Sequence, residues 1–325
     1  MPNYKPPFTL NDKILSLVSA ISESIGRLSV LFKQEQDLKL RRINRMRTIQ
    51  GSLAIEGNTL SEDQITAILN GKPVLAPPKE IQEARNAIDV YEQIGQWKIS
   101  SKKDFLTAHE MLMKGLVDDV GSYRVGGVGV MSGDKVVHMA PQAERVSQLM
   151  HQLFDWLSKT EAHPLITSSV FHYELEFIHP FTDGNGRMGR LWQTLILSKW
   201  QSVFSYIPVE SLVYSNQDAY YLAIRQSTQA SESTPFIEFM LDMINQAIIE
   251  LGSKTTQITT HKTTQNQNAI LGYLSKNPKA SRKEMAKNLS GISENGIKYN
   301  LKILKQAGLL ERIGAPRSGY WKVFK

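Results

Sequence analysis

Residues 179–190 read His179-Pro180-Phe181-Thr182-Asp183-Gly184-Asn185-Gly186-Arg187-Met188-Gly189-Arg190. Together they supply an imidazole, a carboxylate, a glycine-flanked turn and two arginines. Gly184-Asn185-Gly186 permits backbone conformations closed to other residues, so successive N–H groups can converge on an anion. A helix predicted to begin at Arg187 adds its free N–H groups and its positive end. Arg187 and Arg190, three apart, share one face of its first turn. Two cations there oppose the helix dipole unless an anion sits between them. Asp183 can hold Mg²⁺, which is commonly bound by one or two carboxylates plus phosphate oxygens. His179 precedes a proline and so falls at a helix end, where its ring is presented rather than packed. A phosphate nest, a metal carboxylate and a nearby base compose phosphoryl or nucleotidyl transfer, with His179 as general base.

Other chemistries are excluded or weakened. No G-x-x-x-x-G-K-[ST] loop occurs, and with no cysteine there is neither a disulfide nor a thiolate metal site. His172 and His179 are seven apart and lack a third ligand of suitable spacing for zinc, so His172 reads as structural.

The elements around the motif are largely helical. Leu15, Val18, Ile21, Ile25, Leu28 and Phe32 recur at threes and fours, as one helix face requires. A second helix is predicted over 33–56, with a basic stretch over 39–47 read as a solvated face and Gly57 as its stop. Ser61 and Gln64 form a capping box for the next helix. Two valine- and methionine-rich arms flank the turn 132–135 and predict a β-hairpin over 121–139. Further helices are predicted over 142–159, 163–178, 187–200, 216–228 and 235–252, followed by a Thr/Gln/Ser-rich linker. The last fifth of the chain predicts three short helices and two strands, the pattern of a winged helix-turn-helix. At 325 residues the chain suits two or three domains. From Lys262 onward there are 13 basic and 3 acidic residues, a balance of +10, against −3 in the remainder. No apolar run reaches membrane-spanning length and no signal-peptide pattern opens the sequence, which fits a cytoplasmic protein.

The stretch 179–190 resembles the signature of Fic-domain proteins, H-P-F-x-[DE]-G-N-G-R-x-x-R, at every specified position, and the layout over roughly 100–250 resembles the Fic core. The resemblance implies a mainly α fold: a Fic-type helical core with a β-hairpin flap, plus a C-terminal winged helix-turn-helix. It implies transfer of AMP from ATP to a Ser, Thr or Tyr hydroxyl of a protein, itself included, with Mg²⁺ and release of pyrophosphate. His179 is then the base and Asp183 the metal ligand. Gly184, Asn185 and Gly186 cradle the α- and β-phosphates, and Arg187 and Arg190 hold the β- and γ-phosphates. Phe181 and Thr182 complete the nucleotide loop. Tyr220 is a candidate for the adenine pocket, with core packing as its alternative. Lysine in place of the second nest glycine marks a kinase-like variant, and Gly186 argues against it. Val136, Val137, His138 and Met139 form the flap edge that pairs with a target's backbone.

Ser52-Leu53-Ala54-Ile55-Glu56-Gly57 is similar to the inhibitory motif [ST]-x-x-x-E-[GN] of Fic proteins, placed before the core. By that resemblance Ser52, Glu56 and Gly57 are regulatory: Glu56 pairs with Arg190 and denies it to the γ-phosphate. The chain then divides into an N-terminal helical region with the inhibitory helix (1–100), a catalytic core (101–252), a linker (253–266) and a winged helix (267–325). In that last module Lys298, Lys302, Lys305 and Arg317 make DNA a candidate partner; a second copy of the chain is another. Two alternatives stay open: a hydrolase removing AMP from proteins with the same site, and a DNA-binding regulator whose core senses nucleotide.

Overall fold

The fold is mainly α. A computed structural model describes residues 4–31, 37–127, 129–132, 135–259, 264–289, 291–306, 309–314 and 319–324. The chain divides into two units, Met1–Ile249 and Glu250–Lys325.

In the first unit, α1 (Asp12–Leu31) buries Ile14, Ile21, Ile25 and Leu28. The expected stripe was one residue out of phase at its start: Leu15 is 53% exposed, because Ile14 and not Leu15 lies seven residues, two turns, before Ile21. Phe32 lies outside the described residues. Helix α2 (Asp37–Ile55) ends before Gly57, whose φ is +89°. Its basic stretch is less solvated than expected: Asn44 and Met46 are buried, and Arg41 lies over the Tyr206 ring at 4.8 Å. Gly51 lets α2 pack close to α9 (Val209–Ser215), since a Cβ there would lie 2.6 Å from the Glu210 backbone. The predicted capping box Ser61–Gln64 opens α3 (Glu62–Leu69). Helices α4 (Pro78–Gln93) and α5 (Lys102–Met113) follow.

The hairpin forms as β1 (Gly129–Ser132) antiparallel to β2 (Lys135–Met139). Helix α6 (Ala143–Lys159) buries Val146, Met150, Leu153, Phe154 and Leu157, a stripe at helical spacing. At the centre lies α7 (Pro164–Ile178), in which every residue from Leu165 to Glu176 is buried. It packs against α8 (Asn185–Trp200), and Phe105, Phe154, Phe171, Phe181 and Trp192 fill the space around them. Then come α10 (Gln217–Ala230) and α11 (Thr234–Thr259). The expected linker is thus helical as far as Thr259: polar Thr/Gln/Ser composition does not by itself break a helix that lacks an internal Gly–Pro stop.

In the second unit α12 (Gln265–Lys276), α13 (Arg282–Asn288) and α14 (Glu294–Gln306) precede β3 (Leu310–Ile313) and β4 (Tyr320–Val323). Ile270, Leu274, Met285, Ile297, Leu301, Leu304 and Leu310 form its core. The strands pair antiparallel, Leu310 opposite Val323 and Ile313 opposite Tyr320. Lys298, Lys302 and Lys305 are exposed along α14; Arg317 lies outside the described residues. Among the described residues no helix is long and apolar enough to cross a membrane.

Candidate active site

His179 caps the C-terminus of α7 in the left-handed conformation, φ +50° and ψ +62°. A non-glycine residue there costs about 1–2 kcal/mol, so the fold must hold it. Its Nδ1 is buried and faces Glu176 Oε2 at 4.0 Å. The loop that follows is fastened by Asn185, whose side chain accepts from Phe181 N and donates to Phe181 O, both at 2.9 Å. The Phe181 ring is fully buried and stacks on His109 at 3.6 Å. His109 accepts from Gly121 N through Nδ1 and reaches Asp183 O through Nε2, both at 3.0 Å. Burial pushes its pKa down to about 4, so it serves as a neutral strut. Phe181 and Asn185 therefore shape the loop from below. Thr182 is turned away, its hydroxyl bonded to Asp119 at 2.9 Å.

Asp183 Oδ1 accepts from Gly184 N at 2.5 Å and from Arg187 Nη2 at 2.9 Å, and its side chain is 45% exposed. A half-exposed carboxylate beside an open helix N-terminus fits a hard cation shared with phosphate oxygens. Among the described residues no group of three or more His, Asp or Glu could cage a metal by itself.

Helix α8 begins two residues earlier than predicted, at Asn185, with Gly184 as N-cap. The two arginines on its first turns do not face a common point: each is drawn to a different element. Arg187 pairs with Asp183 and, at 3.6 Å, with Glu83. Arg190 donates from Nε to Ser52 Oγ at 3.1 Å, and from Nη2 to Ser52 O at 3.0 Å and Glu56 Oε1 at 2.6 Å. Burial alone would lower the Arg190 guanidinium, but the adjacent Glu56 carboxylate raises it above its usual range. Arg187 Nε and Arg190 Nη1 are buried without a hydrogen-bond partner among the described residues. Such orphaned donors are costly unless a ligand satisfies them. Gly186 is where the nest meets the upstream helix: a Cβ there would lie 2.4 Å from Glu56 Oε1 and 3.0 Å from Arg190 Nη1. Glu56 thus comes directly from the turn before Gly57 into the mouth of the nest.

Beneath the nest lies a buried polar layer. Tyr220 is 1% exposed, and its hydroxyl donates to Glu176 Oε1 at 3.2 Å and meets His172 Nε2 at 3.1 Å. Its ring packs against His172, Tyr221 and Phe236. His172 Nδ1 bonds Gln193 Oε1 at 2.5 Å, and burial holds its pKa down to about 3, in keeping with its structural reading. Burial, then the Glu56 charge, push the Glu176 carboxyl up to about 7. On the hairpin, Val136 pairs with Met131, His138 with Val130 and Met139 with Gly129, while a register shift leaves Val137 as the extra residue. Reasoning from sequence missed His109, Arg124 and Glu176; only the three-residue spacing of Glu176 and His179 could have signalled one of them.

A model described as the Fic/DOC family matches residues 99–197, and one described as a helix-turn-helix domain matches 268–313. A solved Fic family protein from Desulfovibrio desulfuricans G20 is 44% identical, with a TM-score of 0.77, over 99% of this chain and 98% of that one. The chain belongs to the Fic/DOC family. As a Fic protein it also resembles curated relatives. Protein adenylyltransferase Fic of Aedes aegypti is 29% identical over 212 residues, 62% of this chain and 40% of that protein. Protein adenylyltransferase fic-1 of Caenorhabditis elegans is 29% identical over 259 residues, 74% and 49% respectively. This Fic chain therefore spans less than half the length of those two relatives.

Proposed function

We propose that the protein transfers AMP from ATP to a hydroxyl of a protein and that Glu56 holds this activity low. The observation that carries the reading is the pair of buried arginines with orphaned nitrogens at one helix N-terminus, beside His179 and Asp183. The names of the curated relatives point the same way.

In this mechanism ATP lays its phosphates along Gly184, Asn185 and Gly186, and Arg187 and Arg190 satisfy their free donors on the β- and γ-phosphates. Asp183 would hold Mg²⁺, which supplies charge neutralisation to the phosphates. With Nδ1 turned inward to Glu176, the His179 ring takes the acceptor hydroxyl's proton at Nε2. The hydroxyl oxygen bonds to the α-phosphorus, the bond from that phosphorus to the bridging oxygen breaks, and pyrophosphate leaves. The β2 edge, Val136 to Met139, holds the target as an added strand. With Glu56 seated, Arg190 is engaged and the carboxylate occupies the space against Gly186, so ATP binds with its α-phosphate misdirected. The charge-assisted Arg–carboxylate pair is strong enough to compete with a phosphate.

Incubation of Glu56→Gly with Mg²⁺ and ATP labelled at either phosphate tests this. Label from the α-position should enter protein and label from the γ-position should not; γ-label alone would mean phosphorylation and overturn the reading. In the second unit, the exposed Lys298, Lys302 and Lys305 on α14 favour DNA as a further partner.

A further inference from the structure

Arg124 lies between α5 and the hairpin, and its side chain is only 2% exposed. Among the described residues no carboxylate hydrogen-bonds to it, although the Glu144 charge acts on it. Its guanidinium instead spans carbonyls from two places. Nε donates to His179 O at 2.7 Å and Nη2 to Ile178 O at 3.4 Å, the carbonyls that close α7. Nη1 donates to Gly126 O at 2.7 Å and Nη2 also to Pro141 O at 2.5 Å, the two feet of the hairpin. The backbone joins in, since Arg124 N donates to Pro180 O at 2.9 Å.

Three physical facts favour this arrangement. The last carbonyls of a helix carry partial negative charge and attract a cation. A planar fork with five donors can satisfy carbonyls that diverge, whereas the point charge of a lysine cannot. The left-handed backbone of His179 is intrinsically disfavoured, and a charged bond to its own carbonyl offsets part of that cost.

We propose that Arg124 is a positioning residue that locks the His179 base to both feet of the flap, and so sets the base against whatever hydroxyl the flap presents. The inference rests on the transferase reading above. Among the described residues Arg124 hydrogen-bonds to neither the phosphate nest nor Asp183, so its loss should separate ATP binding from transfer. A side chain that merely supports the fold would weaken both together.

The experiment uses the full-length Glu56→Gly protein as parent and Arg124→Lys within it, with the protein itself as acceptor and labelled ATP as probe. The expected result is an unchanged KM for ATP with a self-labelling rate at saturating ATP lower by about 10²-fold, the usual effect of misplacing a reacting group by about 1 Å. Hydrogen exchange at the backbone of residues 126–141 should quicken, and the His179 ring resonances should move, both in nucleotide-free protein. An unchanged rate, or equal losses in ATP binding and rate, would overturn the proposal. If Arg124→Lys is unfolded by circular dichroism, Arg124→Gln, which keeps two donors, takes its place; unfolding of both marks a scaffold role and overturns it too. Failure of the parent to label at all would instead sink the transferase reading, and the exchange and resonance measurements would still decide the role of Arg124.

Discussion

Replacing Glu56 by glutamine preserves the side chain's volume and removes its charge, which isolates its ion pair with Arg190. The bond is 2.6 Å long, with Arg190 2% and Glu56 33% exposed at the side chain. A hydrogen bond to a charged partner contributes about 1.5–3 kcal/mol; solvent at Glu56 favours the lower end. Each 1.4 kcal/mol is about tenfold in affinity, so Mg²⁺–ATP should bind Glu56→Gln about tenfold more tightly. Glu56→Gly should gain more, because it also empties the space against Gly186. Titration calorimetry measures this, with AMP as control: it carries no phosphate for Arg190, so its affinity should not move. Without nucleotide, Glu56→Gly leaves Arg190 its Ser52 contacts, and Glu56→Gln exchanges the charged bond for a neutral one. Their apo forms should melt a few degrees lower, at about 2–4 °C per kcal/mol for a domain of this size, and ATP should restore the loss. An unchanged ATP affinity, or an equal gain for AMP, would refute the competition.

His179→Ala, placed in the Glu56→Gly protein, should abolish labelling while calorimetry still reports full ATP affinity, since in the proposed mechanism His179 acts on the acceptor hydroxyl and Arg187 and Arg190 hold the phosphates. Glu174 accepts from the Tyr4 hydroxyl at 2.7 Å, and burial pushes its pKa up to about 7. A raised carboxyl binds its proton more tightly in the folded state, so it stabilises at low pH and that contribution is lost as pH rises from about 4.5 to about 7. Glu174→Gln should thus gain stability relative to the parent between those limits, seen by denaturant unfolding at several pH values; a constant difference would contradict the assignment. Replacing Lys298, Lys302 and Lys305 with alanine in the full chain should weaken DNA retention at low salt and flatten its salt dependence, measured by filter binding. Retention identical to the parent's would remove α14 as the contact surface.

Much of the site was legible because a local backbone device and its chemistry share one stretch of sequence. The proline after His179 ends α7 and Gly57 stops α2, each a local effect readable from residue type, whereas the start of α8 after Gly184 was placed two residues late. The tail was legible as three short helices and two strands, which the second unit contains. Four things were not. The resemblance gave Glu56 as the partner of Arg190, but the partners of Arg187, Asp183 and Glu83, depend on which elements pack beside it and were not read. Tyr220 could line a pocket or fill a core, and its place beside Glu176 and His172 depends on helices far apart in sequence. Among the described residues the Arg124 side chain bonds main-chain carbonyls, which leave no pattern of residue types to find. Polar composition over 253–259 suggested a linker, but the helix continues there because propensity alone seldom ends one.

The decisive measurement is the intact mass of full-length protein after incubation with Mg²⁺ and ATP, for the parent chain, Glu56→Gly, and Glu56→Gly with His179→Ala. The mechanism predicts a gain matching AMP in Glu56→Gly, little or none in the parent, and none in the double variant. Equal mass in all three, or a gain that survives loss of His179, would contradict it.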